Sequence, residues 1–328
     1  MNKTENLKLF RRLSVPLIGA PLFIISTPAL VIAQCRAGIV GSMPALNARS
    51  ASQLDEWLCE IDEALSLARA SGHATAPYAI NQIVHRSNER LEQDMDVLIR
   101  HKVPIIITSL GARPDINEAV HGYGGIVLHD VINNEFARKA VEKGADGLIA
   151  VAAGAGGHAG QKSPFALIQE IREWFDGPLA LSGSIARGQS ILAAQAMGAD
   201  LAYAGSVFIA TEEARASEGY KQCIVDSSSD DIVYSNLFTG VHGNYLRPSL
   251  VAAGLDPNNL PVSDAGRMNI AAAVEGKKAW KDIWGCGQGV GIVKHVQSTA
   301  ALVERLRIEY VAARERLAYR ADGPEHAV

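Results

Sequence analysis

The chain has 328 residues, of which 48% are hydrophobic and 20% are charged. This composition provides enough apolar side chains for a large core and excludes collagen-like, disordered and coiled-coil classes. Its 31 Lys and Arg residues against 35 Asp and Glu residues give a net charge of -4. With no local basic patch, we expect no nucleic-acid partner. The cysteines lack CxxC spacing, which favours free thiols in a reducing cytoplasm; they are Cys35, Cys59, Cys223 and Cys286.

Residues 13–33 are almost uncharged and long enough to raise the question of a membrane span. Pro16, Pro21 and Pro28 interrupt this segment, and no clean cleavage site follows it. We therefore expect a buried strand, a loop and the start of a helix here, without membrane insertion or export.

Short apolar runs rich in Val, Ile and Leu recur through the first 210 residues, as in parallel strands that are buried on both faces. The eight runs are residues 15–20, 39–43, 78–83, 103–109, 125–131, 147–153, 178–185 and 201–210. Helical patterns lie between them, at 28–38, 52–69, 89–101, 135–143, 164–174 and 188–197, and the fourth helix is the least evident. Eight such units predict a (β/α)8 TIM barrel rather than a doubly wound sheet, which usually has fewer strands.

The rhythm of strands and helices stops after residue 210. Residues 211–292 contain short mixed segments, which indicate either a surface insertion or a cap over the barrel mouth. Within residues 293–328, apolar residues from Val296 to Leu317 form one helical stripe, which we expect to pack on the barrel or on a partner subunit. The predicted organisation is therefore a barrel (1–210), a cap or insertion (211–292) and a C-terminal helix (293–328).

A glycine-rich loop with a single histidine follows the sixth predicted strand, Gly154-Ala155-Gly156-Gly157-His158-Ala159-Gly160. Four glycines in seven residues allow the backbone to bend freely and let another group approach closely. Active sites of TIM barrels lie at the carboxyl ends of the strands. We therefore favour a catalytic or ligand-binding role for His158 over an ordinary surface histidine.

The last two predicted strands also end in small polar residues. Gly183 lies between Ser182 and Ser184, and Gly205 lies between Ala204 and Ser206. TIM barrels frequently bind phosphate with the loops after strands 7 and 8, where backbone N–H groups cluster. The alternative is that both are simple tight turns.

Three further residues could contribute to a site. Asn81 ends the third run and could read an amide-bearing ring such as flavin, or could be a turn amide. His129 and Asp130 end the fifth run, and strand alternation allows only one of them to face the barrel mouth. Cys286, in a second glycine-rich loop, has no evident base that would make it a nucleophile. The histidines and cysteines lack metal-ligand spacing, so we expect no metal.

These motifs together resemble the nitronate monooxygenase family, formerly called 2-nitropropane dioxygenases, which are FMN enzymes on a TIM barrel. The resemblance rests on the segments 15–22, 156–160, 181–186, 197–200, 204–211 and 284–289, and it is weakest over 215–275. It implies oxidation of alkyl nitronates, and of nitroalkanes, by O2 to a carbonyl product and nitrite.

The resemblance also implies roles for individual residues. His158 matches the active-site histidine, either as a base or as a group that binds the substrate anion. The cofactor-binding residues implied or expected are Ala20, Pro21, Leu22, Asn81, Asp130, Gly160, Ser182, Gly183, Ser184, Ala204, Gly205, Ser206 and Gln288. Some relatives carry lysine where Asp130 stands, and that cation would stabilise the anionic reduced flavin, whereas aspartate would oppose it.

Two alternative functions stay open at this stage. One is an FMN-dependent NAD(P)H reductase of enoyl thioesters or quinones. The other is a flavin- or ligand-binding barrel without turnover. In every case we expect a small-molecule ligand, a cytoplasmic location and a homodimer.

Overall fold

A computed structural model describes residues 9–263, 273–274, 277–278 and 282–321 of the chain. Eight parallel strands form one sheet, and a bridge between Ile18 and Val40 joins its two edge strands, so the sheet closes. The predicted TIM barrel is therefore confirmed. The barrel strands are Leu17–Gly19, Gly41–Pro44, Tyr78–Ile83, Ile105–Ser109, Ile126–Val131, Gly147–Val151, Leu179–Ser182 and Leu201–Ala204.

A helix follows each barrel strand, including the fourth, whose helix was the least evident in the sequence. Pro114 begins that helix, because proline at the first helical position loses no hydrogen bond and already has a helical φ. The helices are Pro28–Arg36, Ala51–Ala70, Leu91–Arg100, Pro114–Gly122, Asn134–Glu142, Pro164–Arg172, Gly188–Ala196 and Ser206–Ile209. A short 3-10 helix, Ala45–Asn47, precedes the second of them.

The barrel interior is built from alternate residues of each strand. Ile105 and Ile107 pair in register with Ile126 and Leu128 of the next strand, and all four are buried in one apolar cluster. Because successive strand residues point to opposite faces, the next residues on this inner face are Ser109 and Asp130. The apolar interior therefore ends in polar side chains at the carboxyl end of the barrel.

The first and last predicted runs of the barrel have different outcomes. Residues 13–33 form a buried strand, a loop and a helix, as expected, and no helix among the described residues is long and apolar enough to cross a bilayer. The prediction of one continuous strand over 201–210 is wrong. The strand ends at Ala204, and Gly205 allows a turn into the short helix Ser206–Ile209.

Part of the segment that follows the barrel lies over its mouth. Strands Ile232–Ser235 and Gly243–Leu246 pair with each other, and the second of them also pairs with Gly157–His158. The segment also contains helices Glu218–Asp226 and Arg247–Ala252, 3-10 helices Ser229–Asp231 and Gln288–Ile292, and the paired strands Ala273–Val274 and Lys277–Lys278. Residues 264–272, 275–276 and 279–281 of the predicted cap, and the chain ends 1–8 and 322–328, lie outside the described residues.

The C-terminal helix Thr299–Ala321 packs on the barrel helix Gly188–Ala196. A Cβ atom at Gly188 would lie 2.1 Å from the backbone nitrogen of Tyr310, so the two helices approach as closely as only glycine permits. The Tyr310 hydroxyl donates to Gln195 Oε1 at 2.5 Å. The predicted stripe is wrong at its ends, because Val296 precedes the helix and Leu317 is exposed.

Candidate active site

A large cavity of about 1920 Å³ opens at the carboxyl ends of the barrel strands. It is lined by the loops after the first, third, fourth, fifth and sixth strands, by the start of the last barrel helix and by the segment around His242. Most of the predicted site residues share this one cavity. Those that line it are Ala20, Pro21, Leu22, Asn81, Asp130, His158, Gly160, Ser182, Gly205 and Ser206.

Four predicted cofactor residues are not part of the cavity wall: Gly183, Ser184, Ala204 and Gln288. The backbone N–H groups of Ser184 and Gln288 both donate to the carbonyl oxygen of Gly154, at 3.3 and 3.0 Å. Gly183 (φ 140°) and Ser184 (φ 56°) have positive φ, which is how this turn reaches the glycine-rich loop. Contact of these four residues with a cofactor stays a prediction.

The glycines of the loop 154–160 make room for a second loop of the protein. A Cβ atom at Gly156 would lie 2.7 Å from the backbone nitrogen of Gly287, and one at Gly287 would lie 2.5 Å from the carbonyl oxygen of Gly154. Asn244 Nδ2 donates to the carbonyl oxygen of Ala155 at 2.6 Å and joins both loops to the strand Gly243–Leu246. The close approach that glycine richness predicts is thus made, at these two positions, by the chain's own backbone.

His158 lies on the strand Gly157–His158, half-buried in the cavity wall. Its Nε2 lies 2.8 Å from the hydroxyl of Thr239, and that hydroxyl also lies 3.1 Å from the carbonyl oxygen of Val241. When the Thr239 proton goes to Val241, His158 carries its own proton on Nε2 and its basic nitrogen is Nδ1. Burial lowers the pKa of His158 to about 4, so the ring is neutral at neutral pH.

A chain of hydrogen bonds connects three inward-facing residues at the top of the barrel. Asn81 Nδ2 donates to Ser109 Oγ at 2.7 Å, and Ser109 Oγ donates to Asp130 Oδ2 at 2.5 Å. Asn81 Nδ2 also donates to the carbonyl oxygen of Ile107 at 3.1 Å. Both Asn81 and Asp130 line the cavity, so these hydrogen-bonded side chains form part of the cavity wall.

Two side-chain oxygens of this hydrogen-bonded group lack a donor among the described residues. Asp130 Oδ1 is buried without a partner, and Asn81 Oδ1 accepts no hydrogen bond from the protein. Burial raises the pKa of Asp130 to about 6, although the bond from Ser109 acts in the opposite direction. Asp130 is thus a carboxyl group whose protonation state can change near physiological pH.

His129 points to the other side of the strand, as the alternation predicts. It is buried, and its Nδ1 lies 2.6 Å from the hydroxyl of Thr108 on the neighbouring strand. Burial is the main reason that its pKa falls to about 4, with a smaller contribution from the charge of Lys143. Asp130 therefore occupies the inner face at the barrel mouth, whereas His129, which also lines the cavity, lies on the other face of the strand.

Gly205 lies against the loop that follows the first barrel strand. A Cβ atom there would lie 3.1 Å from Leu22 Cδ2 and 3.4 Å from Ala20 Cβ, which is tight contact. The adjacent Ser206 accepts a hydrogen bond from the backbone N–H of Gly287 at 2.8 Å. A flat ring with an N–H donor would satisfy the acceptor Asn81 Oδ1, and Gly205 presents its backbone to the cavity at a position where even a Cβ atom would be in tight contact. The residues present therefore fit a flavin.

Cys286 and the surface cluster Asp55, Cys59 and His101 offer no better site. Cys286 is buried, and burial raises the pKa of its thiol to about 12, so it is not a thiolate. Of the described residues, only the surface cluster could group three metal ligands. Asp55 Oδ1 already lies 2.9 Å from both His101 Nε2 and an Arg100 guanidinium nitrogen, so protein side chains occupy that oxygen.

Sequence reasoning missed Ser109 and Thr239, the residues that hold Asp130 and His158 in place. Ser109 could have been found, because it continues the inward-facing alternation of Ile105 and Ile107. No local sequence pattern indicated Thr239, since 81 residues separate it from His158 in the chain. Other cavity residues that were not singled out are Tyr203, Tyr220, Tyr234, His242, Lys139, Lys143 and Lys162.

Known proteins share both the sequence pattern and the fold. The sequence is 30% identical to Rv1533 of Mycobacterium tuberculosis, named as a candidate monooxygenase, over 242 residues that span 70% of this chain and 64% of that protein. It is 27% identical to the nitronate monooxygenase of Paraburkholderia phytofirmans over 92% of this chain and 94% of the relative. Nitroalkane oxidase from Streptomyces ansochromogenes has the same fold, with a TM-score of 0.77, 22% identity and coverage of 95% and 99%.

The model of the protein family described as nitronate monooxygenase matches residues 5–309 of this chain. That match includes every barrel strand, His158 and the first part of the C-terminal helix. The chain is therefore an oxidoreductase that belongs to the nitronate monooxygenase family.

Proposed function

We propose that the protein binds FMN and oxidises alkyl nitronates with O2 to a carbonyl compound and nitrite. Neutral nitroalkanes are further substrates in this proposal. The observation that carries it is His158, a neutral histidine in the wall of a cavity that is also lined by most of the residues expected to contact a flavin. The experiment that tests this proposal has to establish which cofactor is bound, which compound reduces it and which substrate is oxidised.

Asn81, Asp130 and Gly205 support FMN as the cofactor. No donor among the described residues reaches Asn81 Oδ1, Asp130 lines the same cavity, and Gly205, which has no side chain, lines it beside Ala20 and Leu22. We assign the phosphate to Gly205 and Ser206, which line the cavity. When bound, FMN would supply an acceptor for electrons from the organic substrate and a route for them to O2.

His158 acts as the base towards a neutral nitroalkane in this proposal. Because burial keeps its ring neutral, His158 can accept the α-proton at neutral pH. Thr239 holds Nε2 at 2.8 Å and thereby limits rotation of the ring. A preformed nitronate needs no such proton transfer, so His158 then only packs against the substrate.

The experiment begins with the visible spectrum of the purified protein, which should show bound flavin. Anaerobic mixing with propyl-2-nitronate should bleach the flavin absorbance, and admission of O2 should restore it with release of nitrite. NADH and NADPH, in parallel anaerobic experiments, should bleach it slowly. Fast bleaching by NADPH together with no response to the nitronate would contradict the proposal.

The cavity mouth favours a second candidate, an FMN-dependent NAD(P)H reductase of enoyl thioesters. Ile132 and Phe136, exposed by 40% and 45%, line the mouth beside Lys139, Lys143 and Lys162. Apolar side chains next to cations suit an acyl chain that is linked to a phosphate-bearing carrier. Rapid reduction by NADPH and reoxidation by crotonyl-CoA, but not by O2, would favour this candidate.

Location and assembly are part of the same proposal. All four cysteines are free thiols, and Cys59 is exposed, which suits the reducing cytoplasm. A homodimer stays a prediction that sedimentation of the purified holoenzyme would test.

A further inference from the structure

We propose that Asp130 takes up a proton from solvent on Oδ1 when the bound flavin is reduced, and releases it on reoxidation. The proposal rests on the proposed FMN cofactor, but it does not depend on nitronate as the substrate. It assigns to this chain a proton-carrying residue in addition to His158.

The direction of the hydrogen bonds leaves only one oxygen of Asp130 for the proton. Asn81 donates to Ser109, and Ser109 then donates its only hydroxyl proton to Asp130 Oδ2 at 2.5 Å. Oδ2 is therefore an acceptor in both protonation states. Oδ1 is buried and receives no hydrogen bond from the described residues, so it can carry a proton without breaking any contact.

The charged and titratable groups around Asp130 do not hold it ionised. Ser109 and Asn81, from the neighbouring strands, are neutral, and Tyr203 lies close enough for the Asp130 charge to raise its pKa. His158, on the loop after the sixth strand, is neutral, and His129 on the same strand faces outward to Thr108. Lys139, Lys143 and Lys162 also line the cavity, but the pKa of Asp130 is set by burial and by the bond from Ser109, without a contribution from a lysine charge.

Reduction of a flavin by two electrons places a negative charge on the ring unless a second proton follows them. A like charge in the same cavity disfavours an ionised carboxyl group, because the two anions repel in a poorly hydrated space. Burial already raises the pKa of Asp130 to about 6. A small further rise, caused by the negative charge of the reduced flavin, brings this pKa above neutral pH. The carboxyl group then becomes neutral.

The step balances in protons and electrons. The two electrons come from the organic substrate, or from an electrode in the experiment, and go to the flavin together with one proton. A second proton passes from water to the Asp130 carboxylate, which becomes a carboxylic acid. On reoxidation, O2 would accept both electrons and both protons and become H2O2.

Spectroelectrochemical titration of the FMN-loaded protein from about pH 6.5 to about pH 9 tests this step. The midpoint potential of the wild-type protein should change with pH as expected for two protons per two electrons up to a break point, and as expected for one proton above it. Asp130→Asn should take up one proton, so its potential should depend on pH less steeply by about 30 mV per pH unit, the value for a tenfold change in a two-electron equilibrium. Equal slopes in both proteins would overturn the proposal.

Ser109→Ala supplies a second test that survives if Asp130→Asn does not fold. Loss of the Ser109 hydroxyl removes the bond that favours ionised Asp130, so the pH at which the slope changes from one proton to two should rise. An unchanged break point would contradict the assignment to Asp130. Asp96→Asn, a change of the same type on the exposed face of a helix, should leave the whole curve unaltered.

His158→Gln distinguishes the two candidate proton carriers. If the slope falls in His158→Gln and not in Asp130→Asn, the second proton resides on the histidine and the proposal is wrong. The measurement needs bound FMN but no nitronate turnover, so a protein inactive on nitronates can still pass it. A protein that binds no FMN would instead overturn both the proposed function and this inference.

Discussion

His158 Nε2 lies 2.8 Å from Thr239 Oγ1, although 81 residues separate them in the chain. This bond joins the glycine-rich loop after the sixth barrel strand to the turn between strands Ile232–Ser235 and Gly243–Leu246. The strand pairing of His158 with Gly243 reinforces the same connection. The segment after the barrel therefore positions the proposed base as well as covering part of the cavity.

His158→Ala should separate proton transfer from anion oxidation. On a neutral nitroalkane we expect a loss of roughly 10²–10⁴-fold in kcat/KM, the usual contribution of a positioned base. On a preformed nitronate the loss should be much smaller, since the proton is already gone. Steady-state oxygen consumption with both substrate forms measures the difference.

The control for His158→Ala is His73→Ala, which removes an exposed histidine that does not line the cavity. The visible spectrum of His158→Ala should still show FMN, because Gly205 and Ser206 are unchanged. Equal losses on both substrate forms would make His158 a binding residue instead of a base.

The pH dependence of the same reaction reports the burial of His158. Its pKa is lowered to about 4, so the neutral, basic form is populated above that pH and is lost only below it. The part of kcat/KM that disappears in His158→Ala should therefore persist from pH 8 down to about pH 5. An acid limb near about 6.5, the value for a solvated histidine, would show that the ring is open to water in the working enzyme.

Thr239→Val tests whether the hydrogen bond orients the ring. Valine keeps the shape of the threonine side chain but cannot accept or donate a hydrogen bond. We expect kcat on a neutral nitroalkane to fall by up to about tenfold, in line with the net value of one hydrogen bond. Activity on the nitronate should stay within about twofold of wild type, since no proton is abstracted there. A loss of bound FMN in this variant would point to a general defect of the cap.

The sequence predicted the barrel because its evidence is local and repeated. Buried parallel strands leave continuous apolar runs, and eight of them in series allow few other folds. Local patterns also placed His158 and Asp130 at the cavity, since His158 lies in the loop after the sixth apolar run and Asp130 lies at the end of the fifth. Their partners were harder to find: Ser109 follows from strand alternation, whereas Thr239 meets His158 only after the chain has returned over the barrel.

The glycine loops show how a correct pattern can have a different cause. Four glycines around His158 indicate close approach, but composition does not identify what approaches. At Gly156 it is the backbone of Gly287, a contact that no local signal could reveal. The turn at Gly183 and Ser184 likewise reaches Gly154 instead of lining the cavity.

A charged side chain at position 205 should expel FMN. Gly205→Asp places a carboxylate in the space that we assign to the phosphate, and the two negative charges repel. The matched control is Gly205→Ala, whose Cβ meets Leu22 at 3.1 Å, a flexible side chain that can move. We expect flavin content, measured by absorbance after gel filtration, to be near zero in the first variant and largely retained in the second. Full occupancy in Gly205→Asp would remove the phosphate from this loop.

Asp130 should lower the stability of the protein at neutral pH. Its folded-state pKa is raised from 3.8 to about 6, so the folded chain binds this proton more tightly than the unfolded chain does. The contribution to stability is fully present below pH 3.8 and is lost as the pH rises through about 6. Asp130→Asn, a neutral isostere, should therefore raise the free energy of unfolding at pH 7.5 by up to about 3 kcal/mol, and by much less at pH 4.

Urea denaturation of the flavin-free proteins at both pH values measures this difference, with Asp96→Asn as the control. If Asp130→Asn were equally stabilising at both pH values, the gain would come from packing, and the carboxyl group would not titrate in the range that the proposed proton uptake requires.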